Sequence, residues 1–133
     1  MAQRRDRRPR RTVTGEERTR ADRPEERAVI FICVKWKIKP EHADDWPALA
    51  GEFTEATRAE EGNLFFEWSR SVEDPNQYVL IEAFRDDAAE AHVTSEHFTK
   101  AQAELPQYVV ETPEVRNMQI PGEHWDRLGE FEV

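Results

Sequence analysis

At 133 residues, with 35% charged and 38% hydrophobic side chains, the chain has room for one domain and can bury a core without disulfides. Its single cysteine, Cys33, has no intramolecular partner, and no run of 18 apolar residues exists to cross a membrane as a helix. The net charge of -9 is divided unevenly, with 10 Arg against 6 acids in residues 1–27 and 9 basic against 22 acidic side chains in residues 28–133.

A domain that acidic repels phosphate backbones, so nucleic acid is excluded as a partner of the folded part. The lone thiol suits a reducing compartment, and the basic N-terminus lacks the apolar run that a secretory signal needs next. The expected location is the cytoplasm. Residues 1–27, including Arg4-Arg5-Asp6-Arg7-Arg8-Pro9-Arg10-Arg11, contain no aromatic residue for base stacking and too little apolar surface to offset the entropy of ordering. They read as a disordered Arg-rich extension.

Structure is expected from Ala28. Val29 to Ile38 is rich in β-branched and aromatic residues and reads as a strand, with Ile30, Ile32, Val34, Trp36 and Ile38 on one face and Phe31 and Cys33 on the other. Residues 44–60 read as one helix, capped by Asp44 or Asp45, with Pro47 in its first turn. Trp46, Leu49, Phe53 and Ala56 form its apolar stripe, and Gly62 follows as a stop. Asn63 to Ser71 and Gln77 to Phe84 read as strands joined by the turn Glu73-Asp74-Pro75-Asn76, hence an antiparallel hairpin.

Asp86 or Asp87 is placed to cap a short helix through His92, and Ser95 to cap another through about Leu105. Val115 to Ile120 reads as a last strand before Pro121-Gly122. The order β-α-β-β-α-α-β predicts an α+β, ferredoxin-like domain over residues 28–120 with a four-stranded antiparallel sheet. Helices cover one sheet face, and the apolar residues of the other call for a second copy, which predicts a homodimeric barrel with a cavity in each half. Residues 121–133 form a tail whose Trp125, Leu128 and Phe131 are apolar enough to dock on the partner subunit.

Four segments carry a family resemblance. The run Glu60-Glu61-Gly62-Asn63-Leu64-Phe65-Phe66-Glu67, then Asp74-Pro75, then Glu82-Ala83-Phe84, then Ala91-His92-Val93-Thr94-Ser95-Glu96-His97-Phe98 resembles the antibiotic biosynthesis monooxygenase (ABM) domain family, which includes quinol monooxygenase-like proteins. The resemblance implies a dimeric α+β barrel and, in the family's characterised enzymes, oxygenation of quinols or polyphenols without flavin, metal or haem. The family also contains haem-degrading proteins and an isomerase, so fold does not fix function. This chain has Phe84 where the polyketide-modifying and haem-degrading members end the third strand in tryptophan, and Leu80 where the polyketide enzymes carry asparagine. Its first strand has no asparagine, and Gln102 stands at the place of the haem degraders' axial histidine, which disfavours haem.

Three side chains are the candidate catalytic groups. His97 opens a helix, where a neutral imidazole is favoured and can act as a base; equally, it can be a packing histidine. His92, five residues earlier, reads as a helper of that base or, more readily, as a surface or helix-end cap histidine. Glu82 lies in an apolar strand on one face with Tyr78, Leu80 and Phe84; it can orient a histidine or a substrate hydroxyl, or pair with Arg70 across the hairpin.

The candidate lining residues are Asn63, Phe65, Tyr78, Leu80, Phe84 and Phe98. Whether Asn63, Phe65 and Glu67 or Leu64, Phe66 and Trp68 meet the cavity is left open by the pattern. The histidine spacing matches no zinc signature, so no metal or other cofactor is expected. The leading expectation is a cofactor-independent monooxygenase using O2 on a quinol or aromatic polyphenol. The alternatives are an isomerase of a small hydroxy-carbonyl compound and a non-catalytic dimer that binds a hydrophobic ligand.

Overall fold

A computed structural model describes residues 28–133, and the expectations for the Arg-rich segment 1–27 lie outside the described residues. The chain runs β1 (Ala28–Lys37), α1 (Trp46–Leu49), α2 (Gly51–Arg58), β2 (Asn63–Arg70), β3 (Gln77–Arg85), α3 (Ala89–Val93), α4 (Glu96–Glu104) and β4 (Glu114–Pro121). The sheet order is β2-β3-β1-β4, antiparallel throughout, so the expected α+β ferredoxin-like arrangement is the one observed. β1 and β3 are its two central strands, which is why both carry near-continuous apolar sequence.

The register settles which face meets the helices. Trp68 lies opposite Leu80, and Leu80 opposite Val34; Phe66 lies opposite Glu82, and Glu82 opposite Ile32. This inner face packs on Trp46 and Phe53 of the first helices and on Leu105. Trp46 is fully buried, its ring 5.4 Å from Trp36 and 5.6 Å from Trp68. Phe65 and Glu67, opposite Ala83 and Ile81, belong to the outer face with Phe31 and Cys33.

Two helix expectations are corrected. The single helix over 44–60 is two helices interrupted at Ala50, where the chain leaves helical geometry just before the poor helix former Gly51. Neither Asp44 nor Asp45 caps it with its side chain; Asp44 instead pairs with Arg70 at 2.8 Å. Likewise Asp86 and Asp87 sit in a 3-10 turn ahead of α3 and do not cap it. The third cap is as expected, with Ser95 Oγ accepting from the Phe98 N–H at 3.2 Å.

Gly62 brings β2 close beneath the α3 entry. A Cβ there would fall 2.0 Å from Ala88 Cβ, so no other residue fits without displacing that turn.

Candidate active site

The helical layer covers the β2–β3 end of the inner face more fully than the β1–β4 end, where β4 is mostly exposed. Between layer and sheet lies a cavity of about 790 Å³. Its walls are Ile32, Val34 and Trp36 of β1; Leu80, Glu82 and Phe84 of β3; Phe53; His92 and Val93; and Phe98, Ala101 and Gln102 of α4. Residues 111–113 with Val115 and Asn117 of β4 complete it. The cavity therefore lies on the same face as the helices, inside one chain.

Of the residues singled out from sequence, Glu82, His92, Leu80, Phe84 and Phe98 line this cavity. Asn63, Phe65, Tyr78 and His97 do not, and each has another place. Asn63 Nδ2 donates to the Phe65 and Ala83 carbonyls at 3.0 and 3.4 Å, bracing the register shift at the start of β2. Phe65 is on the outer face, its ring 5.9 Å from Phe31 and 5.2 Å from Trp125 of the same chain's tail. The Tyr78 hydroxyl donates to the Ala43 carbonyl at 2.8 Å, tying β3 to the first helix turn. His97 faces a second recess of about 390 Å³ beyond the helices, with Glu52, Glu96, Lys100 and Glu104.

Glu82 is 7% exposed and has no hydrogen-bond partner among the described residues. The expected pairing with Arg70 is not made, because Arg70 binds Asp44 and the Pro75 carbonyl. Burial, with a smaller contribution from the charge of Glu60, raises the carboxyl from 4.5 to about 7. A general base poised near neutrality is what such an environment produces.

Glu60 is a side chain of the site that the residue pattern did not single out. It follows α2, 32 residues before His92 and 37 before His97, and its Oε2 accepts from His92 Nδ1 and His97 Nε2, each at 2.7 Å. The convergence comes from the break between α3 and α4. His92 ends one helix and His97 begins the next, and Ser95 Oγ, donating to the His92 carbonyl at 2.6 Å, fixes the turn between them. His92 is only 3% exposed, not a surface histidine, and its ring lies tilted 4.6 Å from that of Phe84. The only hint in the sequence was that the family-like run begins at Glu60.

Glu60, His92 and His97 are also the one group, among the described residues, whose carboxylate and imidazole atoms converge within 4.8 Å of one another. Both contacts to Oε2 have hydrogen-bond length, so two N–H donors account for the arrangement without a cation. No described helix is long and apolar enough to cross a membrane.

Comparison with known proteins bears on the same residues. The antibiotic biosynthesis monooxygenase family model matches residues 29–104. A Bacillus subtilis (strain 168) protein named "Putative monooxygenase YcnE" is 33% identical over 71 residues, which are 53% of this chain and 75% of that protein. A crystal structure of an antibiotic biosynthesis monooxygenase is 30% identical with a TM-score of 0.61, over 67% of this chain and 95% of that one. Rv0793 from Mycobacterium tuberculosis, 21% identical, shares the fold with a TM-score of 0.62 over 75% of this chain and 98% of its own.

The raised carboxyl makes a stability prediction. A carboxyl whose folded value lies above its unfolded one costs nothing while protonated in both states, and the cost accrues as pH rises from 4.5 to about 7. Glu82→Gln should therefore gain up to about 3 kcal/mol over wild type at about pH 8 relative to about pH 4, read from urea midpoints. An unfolding difference that does not change with pH would show that Glu82 ionises as freely as in water.

Proposed function

This chain belongs to the antibiotic biosynthesis monooxygenase family, and from that premise we propose that it oxygenates a quinol or aromatic polyphenol in the inner cavity without a cofactor. Family membership and the Bacillus relative support a monooxygenase-like function. The observation that carries the finer reading is Glu82, a carboxyl raised to about 7, without a partner among the described residues, on a wall that it shares with Phe53, Leu80, Phe84 and Phe98.

An aromatic ring fits such walls through area burial and edge or stacking contacts. Its hydroxyl meets Glu82, whose carboxylate accepts the proton. The resulting phenolate is electron-rich and can itself reduce O2, so the protein has to supply the base, the orientation and a water-poor space. The base expected from sequence, His97, lies outside the cavity wall, and Glu82 takes that role in this reading.

Oxygen uptake with a panel of 1,4-quinols and polyphenols tests it. At least one should be turned over, and Glu82→Gln should lose about 10²-fold or more in kcat. His97→Ala, off the cavity wall, should lose far less than Glu82→Gln. No uptake with any member, together with tight binding of the same compounds, would replace catalysis with ligand storage.

The same reading includes a homodimer built on the outer sheet face. Phe31, Cys33, Val79 and Ile81 form a half-buried apolar surface there, on the face away from α1–α4, and Trp125 of the chain's own tail packs on Phe65 beside it. Light scattering should give a mass near twice 15.6 kDa, and a mass near that of one chain would refute the pairing.

A further inference from the structure

We propose that His92 is a second base of the same reaction, held for it by Glu60 and His97 as positioning residues. The inference rests on the oxygenase reading above and adds a division of labour between two cavity groups. Glu60 Oε2 accepts from His92 Nδ1, so the neutral ring carries its proton on Nδ1 and keeps its lone pair on Nε2. Nε2 has no partner among the described residues, yet it is not among the polar atoms sealed from solvent without one. With His92 on the cavity wall and only 3% exposed, the open space Nε2 reaches is the cavity.

The ring is fixed from several sides. Phe84 lies 4.6 Å away and Phe98 5.1 Å away, centroid to centroid, while the second imidazole, His97, donates to the same Glu60 oxygen from the opposite recess. The ionisable groups facing His92 are Glu60 behind α2, Glu82 on β3 and His97 on α4. A carboxylate so held fixes the ring's orientation and its tautomer.

The chemistry has a second proton transfer for such a group to perform. Converting a phenol to a quinone with one O2 moves two protons into the departing water, one from the hydroxyl and one from the ring carbon. Glu82 takes the hydroxyl proton, the phenolate carbon bonds to O2, and Glu82 returns that proton to the new peroxide. His92 Nε2 then removes the hydrogen from the same carbon. The released electron pair forms the carbonyl, the O–O bond breaks, and hydroxide leaves. His92 gives its proton to that hydroxide, so water is formed and both side chains end as they began. The substrate is the reductant and O2 the oxidant, and no other co-reactant is needed.

Nitrogen NMR of the full chain with labelled histidine tests the positioning, and stopped-flow with 1,4-naphthoquinol and O2 tests the role. The wild-type spectrum should show His92 protonated at Nδ1 with an unprotonated Nε2. Glu60→Gln should scramble that tautomer, Glu60→Asp should restore it in part, and His97→Phe should weaken it. In the kinetics, His92→Gln should still take up O2 in a first burst but accumulate a substrate hydroperoxide, with turnover down about 10²-fold; Glu82→Gln should abolish the burst. A wild-type His92 protonated at Nε2, or displacement of both imidazole signals by stoichiometric zinc, would overturn the positioning. Wild-type turnover with His92→Gln unimpaired would overturn the second-base role. No uptake by the wild type would overturn the oxygenase reading and the role with it, while the spectrum still decides the positioning.

Discussion

Trp46 stands between the first helices and the sheet, packed against Trp36 and Trp68, and its fully buried ring sets the spacing of the two layers at one end of the inner face. The chain spends three of its four tryptophans there. Of the three indoles, that of Trp68 alone has a hydrogen bond among the described residues: its Nε1 donates to Thr54 Oγ1 at 2.9 Å, and that hydroxyl donates to the Ala50 carbonyl at 2.7 Å, where the helix is interrupted. Trp36 Nε1 and Trp46 Nε1 are buried without a partner among those residues. With the layers propped apart by indoles, the smaller side chains toward β1 and β4 cannot fill the remaining space. The cavity is what is left.

That constraint also explains the carboxyl. Glu82 occupies an inward position on a central strand, between Phe66 and Ile32 in register, where a neighbouring chain segment would ordinarily be apolar. Nothing described pairs with it, so burial acts on it unopposed and Glu60 adds to the effect. Its position is costly for the fold and useful for proton transfer, a trade common at active sites. The Glu60–His92–His97 group differs, since one Glu60 oxygen holds both imidazoles and fixes the junction between the two helices.

The fold was largely legible in the sequence because its strands are rich in β-branched and aromatic residues and bounded by clear turns. Pro47 and Gly51 are each tolerable alone within a helix over 44–60, so the sequence does not reveal the break at Ala50. For the site, period two put Glu82, Leu80 and Phe84 on one face, and they line the cavity together. Tyr78 shares that face, but its position at the far end of β3 turns its hydroxyl to Ala43 instead. Phe65 and Phe66 are equally apolar, and only the register against β3 tells the outer from the inner one. Glu60 was illegible as a partner of His92 and His97, because a contact across 32 and 37 residues exists only once the sheet has closed under the helices.

The central claim is that the inner cavity, and not the outer sheet face, takes an aromatic quinol with its hydroxyl on Glu82. A crystal structure of the protein soaked anaerobically with 1,4-naphthoquinol tests it most directly. The ring should lie between Phe84 and Phe98 with one hydroxyl in hydrogen-bond contact with the Glu82 carboxyl. Density for the quinol only on the Phe31–Phe65 face, or an inner cavity that stays empty at saturating quinol, would contradict it.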